Sequence, residues 1–277
     1  MSGTLYLVPT PIGNLGDISR RCAQTLAAAD FIAAEDTRVS LKLLNHLEIK
    51  KPLVSYHEHN KKESGPKIVE RLLGGESCAL VTDAGCPAIS DPGEDLVRLC
   101  AEAGVPVCAI PGPCAAITAL SVSALATGRF AFEGFLPAQK KERRARLDRL
   151  KAEDRTMIFY EAPHRLRETL DELCAAFGSD RPVSLCRELT KLHEEILRLT
   201  LGEAAARYAS AEPRGEYVLV VAGAAQKTEE ISLEQALAMV RALCDDGLRT
   251  KDAVRQVAEE TGVAKNALYA AAVGSKE

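Results

Sequence analysis

The chain has 277 residues and a formal net charge of −4, and 47% of its residues are hydrophobic. That length fits one large domain or two of ordinary size, and no apolar run approaches the roughly 18 residues of a membrane-spanning helix, so a membrane partner is not expected. The first residues lack the basic and apolar regions of a signal peptide. Nine cysteines, an odd number without a CxxC pair, predict reduced thiols in a cytoplasmic protein.

The first 120 residues alternate between apolar strand-like runs and amphipathic stretches. Strands are predicted at residues 5–8, 31–34, 53–56, 78–82 and 105–110. Helices are predicted between them, at residues 19–28, 41–47, 61–73 and 94–103. Gly75 and Gly104 stand where the C-caps of two of these helices are expected. Such alternation predicts a mostly parallel sheet that is covered on both faces.

A second α/β unit is predicted after a small-residue, apolar helix at residues 115–126. Its strands are expected at residues 130–135, 157–160, 183–187, 196–200 and 217–221. The last three have fewer helical stretches between them, which favours antiparallel pairing and a mixed sheet. A polar stretch at 226–230 predicts a linker, so the predicted domains are residues 1–120, 121–226 and 227–277.

The third piece is predicted to be helical throughout. One helix is expected at residues 233–243, and residues 250–274 contain two short helices broken at Gly262 and Val263, the spacing of a helix-turn-helix. Residues 230–277 carry six basic and eight acidic side chains. Readers of the major groove are usually basic, so specific DNA binding is not expected, and packing or RNA docking is the favoured interpretation.

Three loops rich in glycine and proline follow strands of the first sheet, at residues 9–16, 83–93 and 111–116. Carboxyl ends of parallel strands meet at one edge of a sheet, where ligands bind. The middle loop, in VTDAGCPAISDPG, combines small residues that admit close backbone approach with prolines that stiffen the chain. No loop matches GxGxxG or GxxxxGK[ST], so a standard dinucleotide or P-loop phosphate site is not expected.

Charged residues flank several other predicted strands. Glu35 and Asp36 form a charge cluster with Arg38 after the second strand, where Asp36 or Thr37 is also suited to cap a helix. In the second unit, FYEAPHR, CRELTK and GEY bring charged residues to strand ends and favour a polar cleft between the two domains. The HEH triplet at 57–59 offers two histidines without a clear third ligand, which is more typical of polar lining than of a metal site. No metal is therefore expected.

Seven motifs occur together in the order and spacing of one family: LYLVPTPIGNLGD, AEDTR, VTDAGCPAISDPG, PGPCAA, FYEAPHR, CRELTK and GEYVLVV. From residue 5 to residue 221 the chain resembles the small-subunit ribosomal RNA cytidine-2′-O-methyltransferases of the tetrapyrrole methylase superfamily. The tail resembles the extra C-terminal domain of the same family. The resemblance implies a homodimer of chains with two α/β domains each and S-adenosyl-L-methionine in the cleft between those domains.

The resemblance also implies which residues hold the cofactor. They come from the three glycine- and proline-rich loops and from two strand ends of the second domain. They are Pro11, Gly13, Asp83, Ala84, Gly85, Pro87, Ala88, Ile89, Pro113, Ala115, Ala116, Tyr160 and Leu189.

The implied reaction is methyl transfer to the ribose 2′-hydroxyl of cytidine 1402 in 16S rRNA, in naked RNA or in the assembled small subunit. Alignment and exclusion of water are then the main tasks of the enzyme. A weakly acidic hydroxyl also benefits from a general base, and the candidates, which the sequence does not rank, are Glu35, Asp36, Glu161 and Glu188. Phosphate contacts are expected from the ends of strands and from the basic stretch KKERRARLDRLK at residues 140–151. The candidates are Arg38, Lys140, Lys141, Arg143, Arg144, Arg165, Arg187 and Lys191.

Two other functions stay open. One is a tetrapyrrole methyltransferase acting on a macrocycle of the uroporphyrin type, against which the basic stretch and AEDTR argue. The other is a ligand-sensing, DNA-binding regulator, against which the acidic tail argues.

Overall fold

The structure, a computed structural model, describes residues 2–225 and 231–274. The chain divides into two compact units, Met1–Ala224 and Ala225–Glu277. The predicted linker at 226–230 lies outside the described residues. Within the described ranges, no helix has the length and hydropathy needed to cross a lipid bilayer.

The first sheet of the larger unit is fully parallel, as predicted, with the strand order β3-β2-β4-β1-β5. Its strands are β1 (Leu5–Leu7), β2 (Phe31–Ala34), β3 (Leu53–Ser55), β4 (Cys78–Val81) and β5 (Val107–Ala109). Successive strand residues alternate between two hydrophobic clusters, one containing Phe31 and Leu80 and the other Ile32 and Val81. Both faces of this sheet are therefore covered.

Five helices follow these strands: α1 (Arg20–Ala28), α2 (Thr37–His46), α3 (Lys61–Leu73), α4 (Glu94–Glu102) and α5 (Ala115–Val122). The predicted start of α2 at residue 41 was wrong. Its N-cap is Asp36, whose carboxylate accepts a hydrogen bond of 2.8 Å from the Arg38 N–H, so the helix begins four residues earlier. Gly75 and Gly104 follow α3 and α4 with φ values of +99° and +69°, as their predicted capping role requires.

The second sheet is mixed, also as predicted, with the order β6-β7-β10-β8-β9. Its strands are β6 (Phe130–Phe135), β7 (Thr156–Glu161), β8 (Pro182–Arg187), β9 (Glu195–Thr200) and β10 (Tyr217–Val221). Strands β6 and β7 are parallel, and the other pairs are antiparallel. Three helices accompany this sheet: α6 (Lys140–Leu150), α7 (Leu166–Phe177) and α8 (Leu201–Ser210).

Helix α5 connects the two halves of the larger unit. Its small residues Ala116 and Ala119 pack with Ile158 and Val218 on one face of the second sheet. The opposite face of that sheet carries Phe159, which packs against α7 and α8. The predicted buried helix at 115–126 is confirmed, although it ends at Val122.

The described residues of the smaller unit form α9 (Leu233–Asp245), α10 (Thr250–Thr261) and α11 (Lys265–Gly274). Its core contains Val240, Val254, Val257 and Leu268. Gly262, with a φ of +71°, ends α10, so the predicted break between the two last helices is confirmed.

Candidate active site between the two sheets

The three glycine- and proline-rich loops lie together, as the parallel topology predicts. Thr10 and Gly85 exchange two backbone hydrogen bonds of 3.0 Å, which joins the first loop to the second. Cys86 Sγ donates to the Pro113 carbonyl at 3.2 Å, which joins the second loop to the third. These bonds hold the backbone of all three loops around one space.

That space is a cavity of about 500 Å³ between the loops of the first sheet and one face of the second. Seven of the predicted cofactor residues line it: Asp83, Ala84, Gly85, Ile89, Ala115, Tyr160 and Leu189. The other six lie on the same loops without forming the wall: Pro11, Gly13, Pro87, Ala88, Pro113 and Ala116. A role of any of the thirteen residues in cofactor binding stays a prediction.

The loop after β4 has an unusual backbone. Gly85 has a φ of +84°, and the non-glycine residues Ala88 and Ser90 have φ values of +67° and +63°. Left-handed conformations at such residues are uncommon and concentrate at functional sites. The loop that forms one wall of the cavity is therefore held in a conformation that its surroundings must stabilise.

Tyr160 fixes α5 to the second sheet at the cavity. Its hydroxyl oxygen accepts a hydrogen bond of 3.2 Å from the Ala116 N–H. Its ring makes edge-to-face contacts with Phe132 and Phe135. Burial raises the pKa of Tyr160 to about 12, so the phenol stays neutral near neutral pH.

Two of the four predicted base candidates, Glu35 and Glu161, line the cavity. Burial, and then the charge of Asp83, raise the pKa of Glu35. Glu161 is 3% exposed and accepts hydrogen bonds from Thr169 Oγ1 at 2.5 Å and from the Ala162 N–H at 2.9 Å. These donors anchor the Glu161 carboxylate between β7 and α7.

The other two candidates, Asp36 and Glu188, do not form part of the cavity wall. Asp36 pairs with Arg38 at 2.6 Å, and hydrogen bonds from Arg38 hold the pKa of Asp36 far below its usual range. Glu188 accepts from Lys191 Nζ at 2.8 Å and from the Glu216 N–H at 3.0 Å, and the bond from Lys191 lowers its pKa. Both carboxylates therefore serve local structure.

Sequence reasoning missed Asp91, Cys86 and Cys114, which also line the cavity. Burial, followed by the charges of Glu35 and Asp83, raises the pKa of Asp91 to about 7. A hydrogen bond to Cys114 and burial raise the pKa of the Cys86 thiol. The only sequence signal for Asp91 was its place in the same small-residue loop as Asp83.

The raised pKa of Asp91 predicts a pH-dependent stability. Its value in the folded chain, about 7, exceeds the ordinary 3.8, so the folded state binds more protons than the unfolded state between these values. As the pH rises from about 4 to about 7, the free energy of unfolding of the wild-type chain should therefore fall relative to that of the Asp91→Asn variant. Urea unfolding at pH 5 and pH 8 checks this, and the same stability difference at both pH values would contradict it.

The basic stretch forms α6, and its residues divide into two groups. Lys140, Lys141 and Arg144 are exposed. Arg143 is 2% exposed, and its guanidinium pairs with Glu168 at 2.7 Å and Glu172 at 2.6 Å on α7. Arg143 therefore serves packing between the two helices, contrary to its expected place among the phosphate contacts.

The remaining predicted RNA contacts differ in their exposure. Arg38 has an 87% exposed side chain beside the loop after β2. Arg165 donates to the Leu136 carbonyl at 2.9 Å, Arg187 lies 3.4 Å from Glu195, and Lys191 bridges two glutamates. Together with Arg38, which pairs with Asp36, all four already have partners within the protein.

The histidine pair of the HEH triplet takes part in a local turn. The rings of His57 and His59 are 6.0 Å apart, and His57 Nδ1 accepts a hydrogen bond from the Asn60 N–H at 3.2 Å. Across residues 2–225 and 231–274, the structure places no three histidine, cysteine or carboxylate side chains together as metal ligands would be.

Comparison with known proteins identifies two protein families that match this chain. The family described as "Tetrapyrrole (Corrin/Porphyrin) Methylases" matches residues 4–205, and the family described as "RsmI C-terminal HTH domain" matches residues 229–276. The chain is 50% identical to the "Ribosomal RNA small subunit methyltransferase I" of Halalkalibacterium halodurans, over 96% of this chain and 93% of that protein. It is 48% identical to the protein of the same description from Escherichia coli O157:H7, over 96% and 93%.

A solved structure shows the same fold. It is the uroporphyrin-III C-methyltransferase from Thermus thermophilus in complex with S-adenosylhomocysteine, with a TM-score of 0.54, 19% identity, and coverage of 78% of this chain and 97% of that one. The match of the methylase family over most of the chain, together with near full-length relatives, decides the assignment. The chain belongs to the tetrapyrrole (corrin/porphyrin) methylase family and, within it, to the group of the ribosomal RNA small subunit methyltransferases I.

Proposed function

We propose that the chain uses S-adenosyl-L-methionine to methylate the 2′-oxygen of a ribose in 16S ribosomal RNA, at cytidine 1402. The observation that carries this proposal is the 50% identity, over nearly the whole chain, to a protein described as a ribosomal RNA small subunit methyltransferase. The sequence motifs of the cytidine-2′-O-methyltransferases add the position of the methyl group. We also propose a homodimer in the cytoplasm.

The shape of the cavity fits S-adenosyl-L-methionine. A volume of about 500 Å³ lies within the ordinary range for small-ligand sites. At Gly85 an added Cβ would lie 3.5 Å from Ile12 Cγ2 and 3.9 Å from the Pro113 carbonyl, so the bare backbone keeps the space between these loops open. Loops of this kind hydrogen-bond a ligand through N–H and C=O groups.

The charge of the cavity points the same way. Five carboxylates line it: Glu35, Asp83, Asp91, Glu161 and Glu216. Among the described residues of its wall there is no lysine, arginine or histidine. Such a wall favours a ligand that carries a sulfonium and an ammonium group over a phosphorylated cofactor. The charge of the cavity wall therefore supports S-adenosyl-L-methionine as its ligand.

The chain's own residues supply alignment and a dry site. When bound, the cofactor provides a methyl group on a good leaving group, so positioning contributes much of the rate. The paired loops fix the donor side, and the Tyr160 ring with its aromatic neighbours covers the other side. A target ribose in structured RNA must be splayed out to enter a cavity of this size.

The exposed cations of α6 are proposed to contact RNA phosphates. Replacing Lys140, Lys141 and Arg144 together by alanine should weaken rRNA binding and make it less sensitive to salt. The slope of the logarithm of the binding constant against the logarithm of the salt concentration should become shallower by roughly 0.7 for each phosphate that the variant no longer neutralises. Filter binding at several salt concentrations measures this. The control replaces Lys42, Lys62 and Lys67, exposed on the first domain, by alanine. Equal slopes for the two triple variants would contradict an RNA role of α6.

A panel of acceptors tests the proposed function. The wild-type chain is incubated with methyl-labelled S-adenosyl-L-methionine and one of four acceptors: small ribosomal subunits, naked 16S rRNA, uroporphyrinogen or duplex DNA. We expect label in subunits or in rRNA only. Label in uroporphyrinogen, or in none of the four, would contradict the proposal.

A further inference from the structure

We infer that Asp91 is the general base of the reaction and takes the proton from the acceptor 2′-hydroxyl. The inference rests on the proposed function, and it names a residue outside the four candidates that the motifs supplied.

Asp91 lies where the loop after β4 reaches the second sheet. The Oγ atom of its neighbour Ser90 lies 3.0 Å from the point where a Cβ atom would stand if Gly134, in strand β6, carried a side chain. Asp91 acts electrostatically on Tyr160 of β7 and on Cys86 of its own loop, which line the same cavity. Asp91 therefore lines the space that a donor and an acceptor must share.

Asp91 differs from the other four carboxylates of the cavity in its partners. Glu35 accepts from the Asp83 N–H, and Asp83 accepts from the Asp36 N–H at 3.2 Å. Glu161 has two hydrogen-bond donors, and Glu216 pairs with Lys191 at 2.9 Å. Asp91 has no hydrogen bond or ion pair with any residue in the described part of the chain. Donors stabilise a carboxylate and weaken it as a base, and Asp91 is the one carboxylate of the cavity for which the described residues supply none.

The surroundings of Asp91 tune it further. The charged groups that act on its carboxyl are Glu35, from the end of β2, and Asp83, from the start of its own loop, and no cation acts on it among the described residues. Burial and these two like charges raise its pKa to about 7. A general base works best when its pKa lies near the operating pH.

In the proposed step, the acceptor hydroxyl loses a proton and gains a methyl group. The hydroxyl O–H bond breaks and its proton passes to an Oδ atom of Asp91. The oxygen's electron pair forms the bond to the methyl carbon while the carbon–sulfur bond breaks and its pair stays on sulfur, which leaves a neutral thioether. Asp91 then returns the proton to solvent.

Single-turnover methyl transfer to small subunits, measured against pH, tests this assignment. Asp91→Asn should lower the rate at pH 8 by about 100-fold or more, within the usual contribution of a general base, and should abolish the rise in rate near pH 7. Calorimetric affinity for S-adenosyl-L-methionine should change less than tenfold. Glu94→Gln removes an exposed carboxylate outside the cavity three residues further on and should match the wild-type chain.

Infrared titration of the cofactor-free chain provides a readout without turnover. The wild-type spectrum should contain a protonated carboxyl band that titrates near pH 7, and Asp91→Asn should lack it. Glu35→Gln removes a like charge, so it should move the midpoint of that band to lower pH. An Asp91→Asn variant that keeps the rate profile or the band overturns the inference. Failure of the proposed function differs, because the wild-type chain then transfers no methyl group to rRNA at any pH.

Discussion

Gly85→Val is expected to lower the affinity for S-adenosyl-L-methionine by about 100-fold or more, equivalent to about 2.7 kcal/mol. Gly85 has a φ of +84°, a conformation that β-branched residues rarely adopt. Its N–H and C=O are both bonded to Thr10, so the backbone has little freedom to relax. The valine methyl groups would occupy the space between Ile12 and the Pro113 carbonyl, where the backbone is bare.

The control for this prediction is Gly104→Val. Gly104 has a similar φ of +69°, and nothing lies within 4 Å of an added Cβ, so the variant introduces comparable backbone strain away from the cavity. Isothermal titration calorimetry on both variants separates the effect of backbone strain from the effect of blocking the cavity. We expect the affinity of Gly104→Val for S-adenosyl-L-methionine to be close to that of the wild-type chain. Equal affinities of Gly85→Val and the wild-type chain would show that this loop is not the cofactor wall.

Phe159→Ala is expected to lower the free energy of unfolding by about 3–5 kcal/mol. Phe159 lies in β7, is fully buried, and packs in the cluster formed with α7 and α8. Its removal leaves a cavity on one face of β7. The next residue of β7, Tyr160, lines the candidate active site. Denaturant unfolding of the wild-type and variant chains measures the effect.

Phe130→Ala provides the comparison within the same sheet. Phe130 begins β6 and is 39% exposed, so its truncation removes less buried surface and leaves no closed cavity. We expect a loss of less than about 1.5 kcal/mol. A similar loss in the two variants would mean that the face of the second sheet that carries Phe159 is not the tightly packed core described above.

Much of the fold was predictable because its signals are local. The alternation of apolar runs and amphipathic stretches predicts the five parallel strands, and the shortage of helices between residues 183 and 221 indicates the antiparallel ones. Helix α8 was missed although Thr200 and Glu203 form a capping box at its start. Helix α6 was read only as a basic stretch, since Arg143 occupies a buried position of that helix where a hydrophobic residue is usual.

The candidate site was predictable to the level of its loops. Parallel topology brings the loops at residues 9–16, 83–93 and 111–116 to one edge, and the structure joins them through Thr10, Gly85 and Cys86. The roles of most carboxylates were not predictable, because the pKa of Asp91 depends on burial and on Glu35, which is 56 residues away in the sequence. Asp36 is the exception, since its charge cluster with Arg38 and its capping role were predicted and the structure confirms both.

The position of the transferred methyl group shows whether the chain methylates the ribose or the base. Small ribosomal subunits labelled by the wild-type chain are extracted, and the rRNA is hydrolysed in alkali. A methyl group on the 2′-oxygen stops that oxygen from attacking the adjacent phosphodiester, so ribose methylation should leave the label in alkali-resistant dinucleotides. Label recovered in mononucleotides, as base methylation would give, would contradict it.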